Sequence, residues 1–102
     1  MIVIDPGHGG VDGGTSGNGM VEKDYTLLIS KYIKDRFDEL DIPSKMTRTT
    51  DETLTPSERV NRILNAYGNS PDVLVISNHL NAGGGDNPSG ELTFFEIIKY
   101  NN

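Results

Sequence analysis

Ile2-Val3-Ile4-Asp5-Pro6-Gly7-His8-Gly9-Gly10 is the stretch on which the fold turns. A short continuous run of β-branched residues stopped by Pro6-Gly7 reads as a strand buried on both faces. It delivers a histidine into a glycine-rich turn. The same arrangement returns at Val73-Leu74-Val75-Ile76-Ser77-Asn78-His79-Leu80-Asn81-Ala82, and these two histidines are all the chain has. Side chains at the carboxyl ends of neighbouring parallel strands converge on one rim of a sheet, where open α/β folds build their sites. Two imidazoles on such a rim point to a metal.

Working outward, the loop after the first strand (Ile2 to Asp5) carries Gly7, Gly9, Gly10, Gly13, Gly14, Gly17 and Gly19, so its backbone can approach a ligand or ion closely. From about Glu22 to Leu40, Tyr25, Leu28, Ile29, Tyr32, Ile33, Phe37 and Leu40 recur at helical intervals and form one apolar stripe. A short strand is expected around Lys45 to Thr47. Thr55-Pro56-Ser57-Glu58 combines a capping residue, a proline in the first helical position and a glutamate three residues after the cap. That second helix should run to about Tyr67, burying Val60, Ile63, Leu64 and Tyr67, and end at Gly68. Val73 to Ser77 and roughly Glu91 to Ile98 complete the strands. The order implies an α/β fold with a mixed, mainly parallel sheet flanked by helices on both faces.

The 102 residues suffice for a single small domain. With no cysteine there is no disulfide, thiolate ligand or cysteine nucleophile, so a metal needs nitrogen and oxygen ligands. A formal charge of −6 argues against nucleic acid or an anionic membrane as partner. The amino terminus offers neither a basic segment nor an apolar stretch of signal-peptide length, and no run reaches membrane-spanning length. As written, the sequence implies a protein made in the cytoplasm.

A catalytic zinc takes three protein ligands and keeps a further position open; two histidines with one carboxylate are a recurrent set. Glu22 is the best third ligand, because it follows the glycine loop that returns the chain to the rim of the first strand. His8, Glu22 and His79 are thus placed to meet. Taken singly, each has a plainer reading: a histidine can hydrogen-bond a loop, and Glu22 can complement a helix amino terminus. A phosphate loop is a poor match, since Gly-Lys-Ser/Thr and G-x-G-x-x-G are both missing at the strand-to-helix turn. No Gly-x-Ser-x-Gly elbow marks a serine hydrolase. Arg48, Arg59 and Asn61 read as charge partners or scaffold hydrogen bonds, and Asn78 and Asn81 as residues that orient His79 or meet substrate.

Ile4-Asp5-Pro6-Gly7-His8-Gly9-Gly10, Gly19-Met20-Val21-Glu22-Lys23, Arg48-Thr49 and Ser77-Asn78-His79-Leu80-Asn81-Ala82 together resemble the type-3 zinc-dependent N-acetylmuramoyl-L-alanine amidases of phage endolysins and bacterial autolysins. The resemblance implies His8, Glu22 and His79 as zinc ligands, peptidoglycan as substrate, and cleavage between the muramic acid lactyl carbonyl and L-alanine. It implies action on the cell wall after secretion or lysis, with a separate wall-binding domain, because the acidic charge would not attract anionic wall polymers. It also implies a general-base glutamate on a strand beyond the last ligand. Glu91 aligns with a different family glutamate and is only a weak candidate for that base, which leaves the catalytic residue unknown. Residues 1–102 would then be the amino-terminal part of a single catalytic domain, with the zinc amidase fold incomplete. The alternatives are a zinc- or wall-binding fragment without turnover, and a zinc peptidase acting within the stem peptide.

Overall fold

The computed structural model describes residues 1–80 and the strand backbone at 96–98. Asn81, Glu91 and the first part of the last expected strand lie outside the described residues. The elements run β1 (Ile2–Pro6), β2 (Ser16–Gly17), β3 (Met20–Val21), α1 (Glu22–Glu39), β4 (Ser44–Met46), α2 (Pro56–Tyr67), β5 (Leu74–Asn78) and β6 (Glu96–Ile98). The main sheet has the order β4-β1-β5-β6, with β1 parallel to β4 and β5, and β6 antiparallel to β5. The expected mixed, mainly parallel α/β sheet is therefore present.

This order places the site. The first crossover, through α1, steps from β1 to β4; the second, through α2, steps back over β1 to β5. Right-handed crossovers in opposite directions put their helices on opposite faces, and a crevice opens at the carboxyl ends of the strands where the direction reverses. Here that point lies between β1 and β5, the strands that lead into His8 and His79. Strand alternation divides the faces accordingly. Val3 and its register partner Val75 pack with Val73 and Ile63 of α2, with Ala66 and Tyr67 against them. On the other face, Asn78 donates from Nδ2 to Ser30 Oγ of α1 at 2.7 Å.

α2 begins as its sequence requires. Thr55 Oγ accepts the Glu58 amide, Glu58 reaches back to the Thr55 amide, and Pro56 fills the first turn. Gly68 ends the helix at φ 78°, a left-handed value that favours glycine. Thr55→Ala should cost about 1 kcal/mol, a Tm decrease of about 4–8 °C by calorimetry.

α1 differs from its expected orientation. Glu22, Thr26 and Ser30 are its buried residues, while Tyr25, Leu28, Tyr32 and Leu40 are exposed. Thr26 Oγ donates 2.7 Å to the Gly7 carbonyl, so the inner face of α1 is short and polar where it meets the strand ends. In α2, Ile63 is buried as expected but Val60 is exposed. The glycine loop also contains an unforeseen hairpin: β2 and β3 pair antiparallel around Asn18-Gly19, both at positive φ, as a two-residue type I′ turn requires.

Candidate metal centre

β1 ends at Pro6 and hands the chain to His8, which has φ 63°. That left-handed conformation costs a non-glycine residue free energy, so something must hold it. Two guanidinium groups do. Arg48 Nε and Arg59 Nη2 each donate to the His8 carbonyl oxygen at 2.8 Å. Arg48, itself buried, also donates from Nη2 to the Gly7 and Lys23 carbonyls at 3.0 Å and from Nη1 to the Thr50 carbonyl at 3.0 Å. Farther along the loop, Asp51 accepts the Gly10 amide at 2.7 Å and Lys23 Nζ at 2.9 Å.

His79 follows β5 and is oriented by a row of register neighbours. Asp5 pairs with Ser77 across β1 and β5, and Thr47 lies one residue beyond the Ile4–Met46 pair of β1 and β4. All three are buried. Asp5 accepts Thr47 Oγ–H at 2.8 Å on Oδ1 and Ser77 Oγ–H at 2.9 Å on Oδ2. Ser77 Oγ in turn lies 3.1 Å from His79 Nε2. Since the one hydroxyl proton of Ser77 goes to Asp5, its oxygen accepts from Nε2–H, and the neutral His79 ring keeps its lone pair on Nδ1.

Glu22 opens α1 and is buried at 2% exposure. Its Oε1 accepts the Thr15 amide at 3.0 Å and hydroxyl at 3.1 Å, and its Oε2 accepts the Leu80 amide at 3.0 Å. Burial pushes its carboxyl up, but the Thr15 and Leu80 amides outweigh that and hold it below the ordinary range. It is therefore a carboxylate at neutral pH. Gly14, at φ 71°, passes so close that an added Cβ would lie 2.7 Å from both Glu22 Oε1 and His8 Cδ2.

His8, Glu22 and His79 converge, with their ligand atoms all within 4.8 Å of one another. His8 Nε2 is 3.0 Å and His79 Nδ1 is 3.3 Å from the same oxygen, Glu22 Oε2. Ligand atoms at ~2.0–2.1 Å from a tetrahedral zinc are about 3.3 Å apart, so the spacing fits. The chemistry of the donor set fits too. His8 Nδ1 lies 2.9 Å from Asp12 Oδ2, and that bond, the main influence, holds the Asp12 carboxyl below its ordinary value. A carboxylate can only accept, so Nδ1 carries the proton and the neutral ring turns a lone pair on Nε2 toward Glu22. Two ring lone pairs and a carboxylate oxygen thus face one another, a donor set that could hold a metal ion. The rings meet edge to face at 90°, and both histidine side chains are part-exposed, so the cluster opens to solvent on one side.

Asn78, expected to orient His79 or meet substrate, ties β5 to α1 through Ser30. Arg48 and Arg59, expected as charge partners or scaffold, hydrogen-bond the carbonyl of a cluster residue. Sequence reasoning did not single out Asp5, Asp12, Thr15 or Ser77. The signals were an aspartate and a serine inside buried strands, with Ser77 on the same strand face as His79, and a carboxylate four residues after His8.

Residues 2–102 match the N-acetylmuramoyl-L-alanine amidase family. Over 93% of its length the chain is 39% identical to the uncharacterized protein YqiI of Bacillus subtilis, covering 44% of that protein. It is 34% identical over the same share to the N-acetylmuramoyl-L-alanine amidase LytC of Bacillus subtilis, covering 18% of it. An N-acetylmuramoyl-L-alanine amidase structure from Clostridium difficile 630 superposes on 84% of this chain with a TM-score of 0.73 and 32% identity, over 46% of its own length. The amidase AmiC2 of Nostoc punctiforme gives a TM-score of 0.70 and 30% identity, over 82% of this chain and 45% of its own. The chain thus spans less than half the length of these relatives.

Proposed function

This chain belongs to the N-acetylmuramoyl-L-alanine amidase family, and we propose that it serves zinc-dependent hydrolysis of the amide bond joining N-acetylmuramic acid to L-alanine in peptidoglycan. The observation that carries this reading is the convergence of His8, Glu22 and His79 at the sheet switch point. We read these as the zinc ligands, and residues 1–102 as the amino-terminal part of one catalytic domain. A zinc ion held there would polarise the scissile carbonyl and bring a water's pKa toward neutrality. The chain's own residues prepare that chemistry. Asp12 and Ser77 fix the ring orientation and tautomer of His8 and His79, as outer partners of ligating histidines do. Thr15 and Leu80 keep Glu22 ionised and immobile. The open side of the cluster admits a polymeric substrate at the cell wall, and the −6 charge makes a separate module the natural source of wall attachment.

A second reading is a metal-holding domain without turnover. It is favoured by the engagement of each carboxylate at the cluster among the described residues: Glu22 with Thr15 and Leu80, Asp12 with His8, Asp5 with Thr47, Ser77 and Arg59. None is free to shuttle a proton. Purified peptidoglycan incubated with the zinc-loaded chain separates the two. The amidase reading expects new L-alanine amino termini and, by mass spectrometry, glycan freed from intact stem peptides, with both lost on chelation. Zinc bound without amine release establishes the second reading, and cleavage within the stem would identify a peptidase.

A further inference from the structure

Arg59 lies on α2, outside the metal-facing cluster, yet its guanidinium is bonded toward both histidines. Nη1 donates to Asp5 Oδ1 at 2.5 Å and to the Pro6 carbonyl at 2.7 Å, while Nη2 donates to the His8 carbonyl at 2.8 Å. Asp5 carries the link onward through Ser77 Oγ at 2.9 Å to His79 Nε2 at 3.1 Å. One planar fork therefore grips the backbone of one histidine and the carboxylate that orients the other.

We propose that Arg59 is a positioning residue of the metal centre, setting His8 through its carbonyl oxygen and His79 through Asp5 and Ser77. The proposal rests on the zinc-ligand reading above. Three features give it weight. His8 sits at φ 63°, so its carbonyl direction depends on what holds it. The Asp5–Arg59 pair is largely buried, where a charge-assisted bond is stiff and costly to break. Finally, the tautomer that leaves the lone pair on His79 Nδ1 requires Ser77 to give its proton to Asp5, and Arg59 grips the other oxygen of that same carboxylate. Arg48 shares the His8 carbonyl but has no hydrogen bond to Asp5, so it cannot replace Arg59 on the His79 branch.

The test compares Arg59→Lys, Arg59→Met and Ser77→Ala with wild type and His79→Ala in the full chain. It reads zinc affinity by chelator competition, the visible absorption of the cobalt(II)-substituted protein, and folding by circular dichroism. Lysine keeps a positive charge for Asp5 but cannot span Asp5 and the Pro6 and His8 carbonyls at once. Folded Arg59→Lys and Ser77→Ala should each bind zinc about 10–100-fold more weakly, the loss typical of outer partners, with altered cobalt bands. Their double variant should lose less than the product of the two, because both act on the Asp5–His79 path. Arg59→Met should lose at least as much as Arg59→Lys; if it does not fold, the lysine and Ser77 variants decide. A folded Arg59→Lys with wild-type affinity and spectrum, or Ser77→Ala with wild-type affinity, overturns the proposal while leaving the ligand reading intact. Equal zinc binding by wild type and His79→Ala, or none by either, overturns the ligand reading and the proposal with it.

Discussion

His79→Ala is expected to abolish stoichiometric zinc binding while leaving the chain folded. The alanine removes one of three converging donors, which should weaken binding well beyond the ~10–100-fold typical of outer-shell changes. Glu22 does not become an orphan, because the Leu80 amide and both Thr15 donors still satisfy its oxygens. The two effects therefore separate experimentally. Metal content after dialysis should fall from stoichiometric to background. Zinc at a thousandfold over Kd should stabilise the wild type by about 4 kcal/mol and leave the variant unmoved. A His79→Ala protein that still carries a full complement of zinc refutes the ligand assignment.

The second large effect is expected at Arg48. Its guanidinium donates to four main-chain carbonyls, those of Gly7, His8, Lys23 and Thr50, from a site 2% exposed. Burial pushes its pKa down, while Arg59 adds to that and Asp51, Asp5 and Glu52 oppose it from nearby. In Arg48→Met the Gly7 carbonyl keeps the Thr26 hydroxyl, the His8 carbonyl keeps Arg59 and the Thr50 carbonyl keeps the Glu52 amide, so the main loss is the guanidinium's own bonds. Hydrogen bonds to a charged group contribute about 1.5–3 kcal/mol each, and because other donors remain on these carbonyls a total near 3 kcal/mol is expected. The corresponding drop in Tm is about 12–24 °C. Arg36, paired with Glu39 on the exposed face of α1, gives the contrast: its removal should change stability by less than about 1 kcal/mol. An Arg48→Met protein that melts with the wild type would show that the four carbonyl bonds carry no net stability.

What could be read from the chain was what local pattern controls. The apolar runs at Ile2 and Val73 are strands, and the Thr55-Pro56-Ser57-Glu58 signature starts α2 where expected. The convergence of His8, Glu22 and His79 followed from strand ends and a returning loop. α1 was harder because periodicity identifies a stripe without saying which face docks. Short polar side chains at Thr26 and Ser30 allow contact with Gly7 and Asn78 at the strand ends, and that geometry left Tyr25, Leu28 and Tyr32 outside. The roles of Arg48 and Arg59 depend on bonds spanning 40 and 51 residues of chain to the His8 carbonyl, a separation no local pattern encodes. The Asn18-Gly19 turn was written in the sequence but lay hidden among neighbouring glycines.

The alignment of Thr47, Asp5 and Ser77 across three strands has a consequence for how the molecule assembles. A slip of β5 by a single residue against β1 would turn Ser77 to the opposite face, parting His79 from Asp5. A chain mispaired in that way could not present Nδ1 beside Glu22. On the zinc-ligand reading proposed above, the ion would act as an inspector of sheet assembly: by binding only chains whose strands have met in register, it would withdraw them from the pool of near-native alternatives and draw the rest toward the correct pairing.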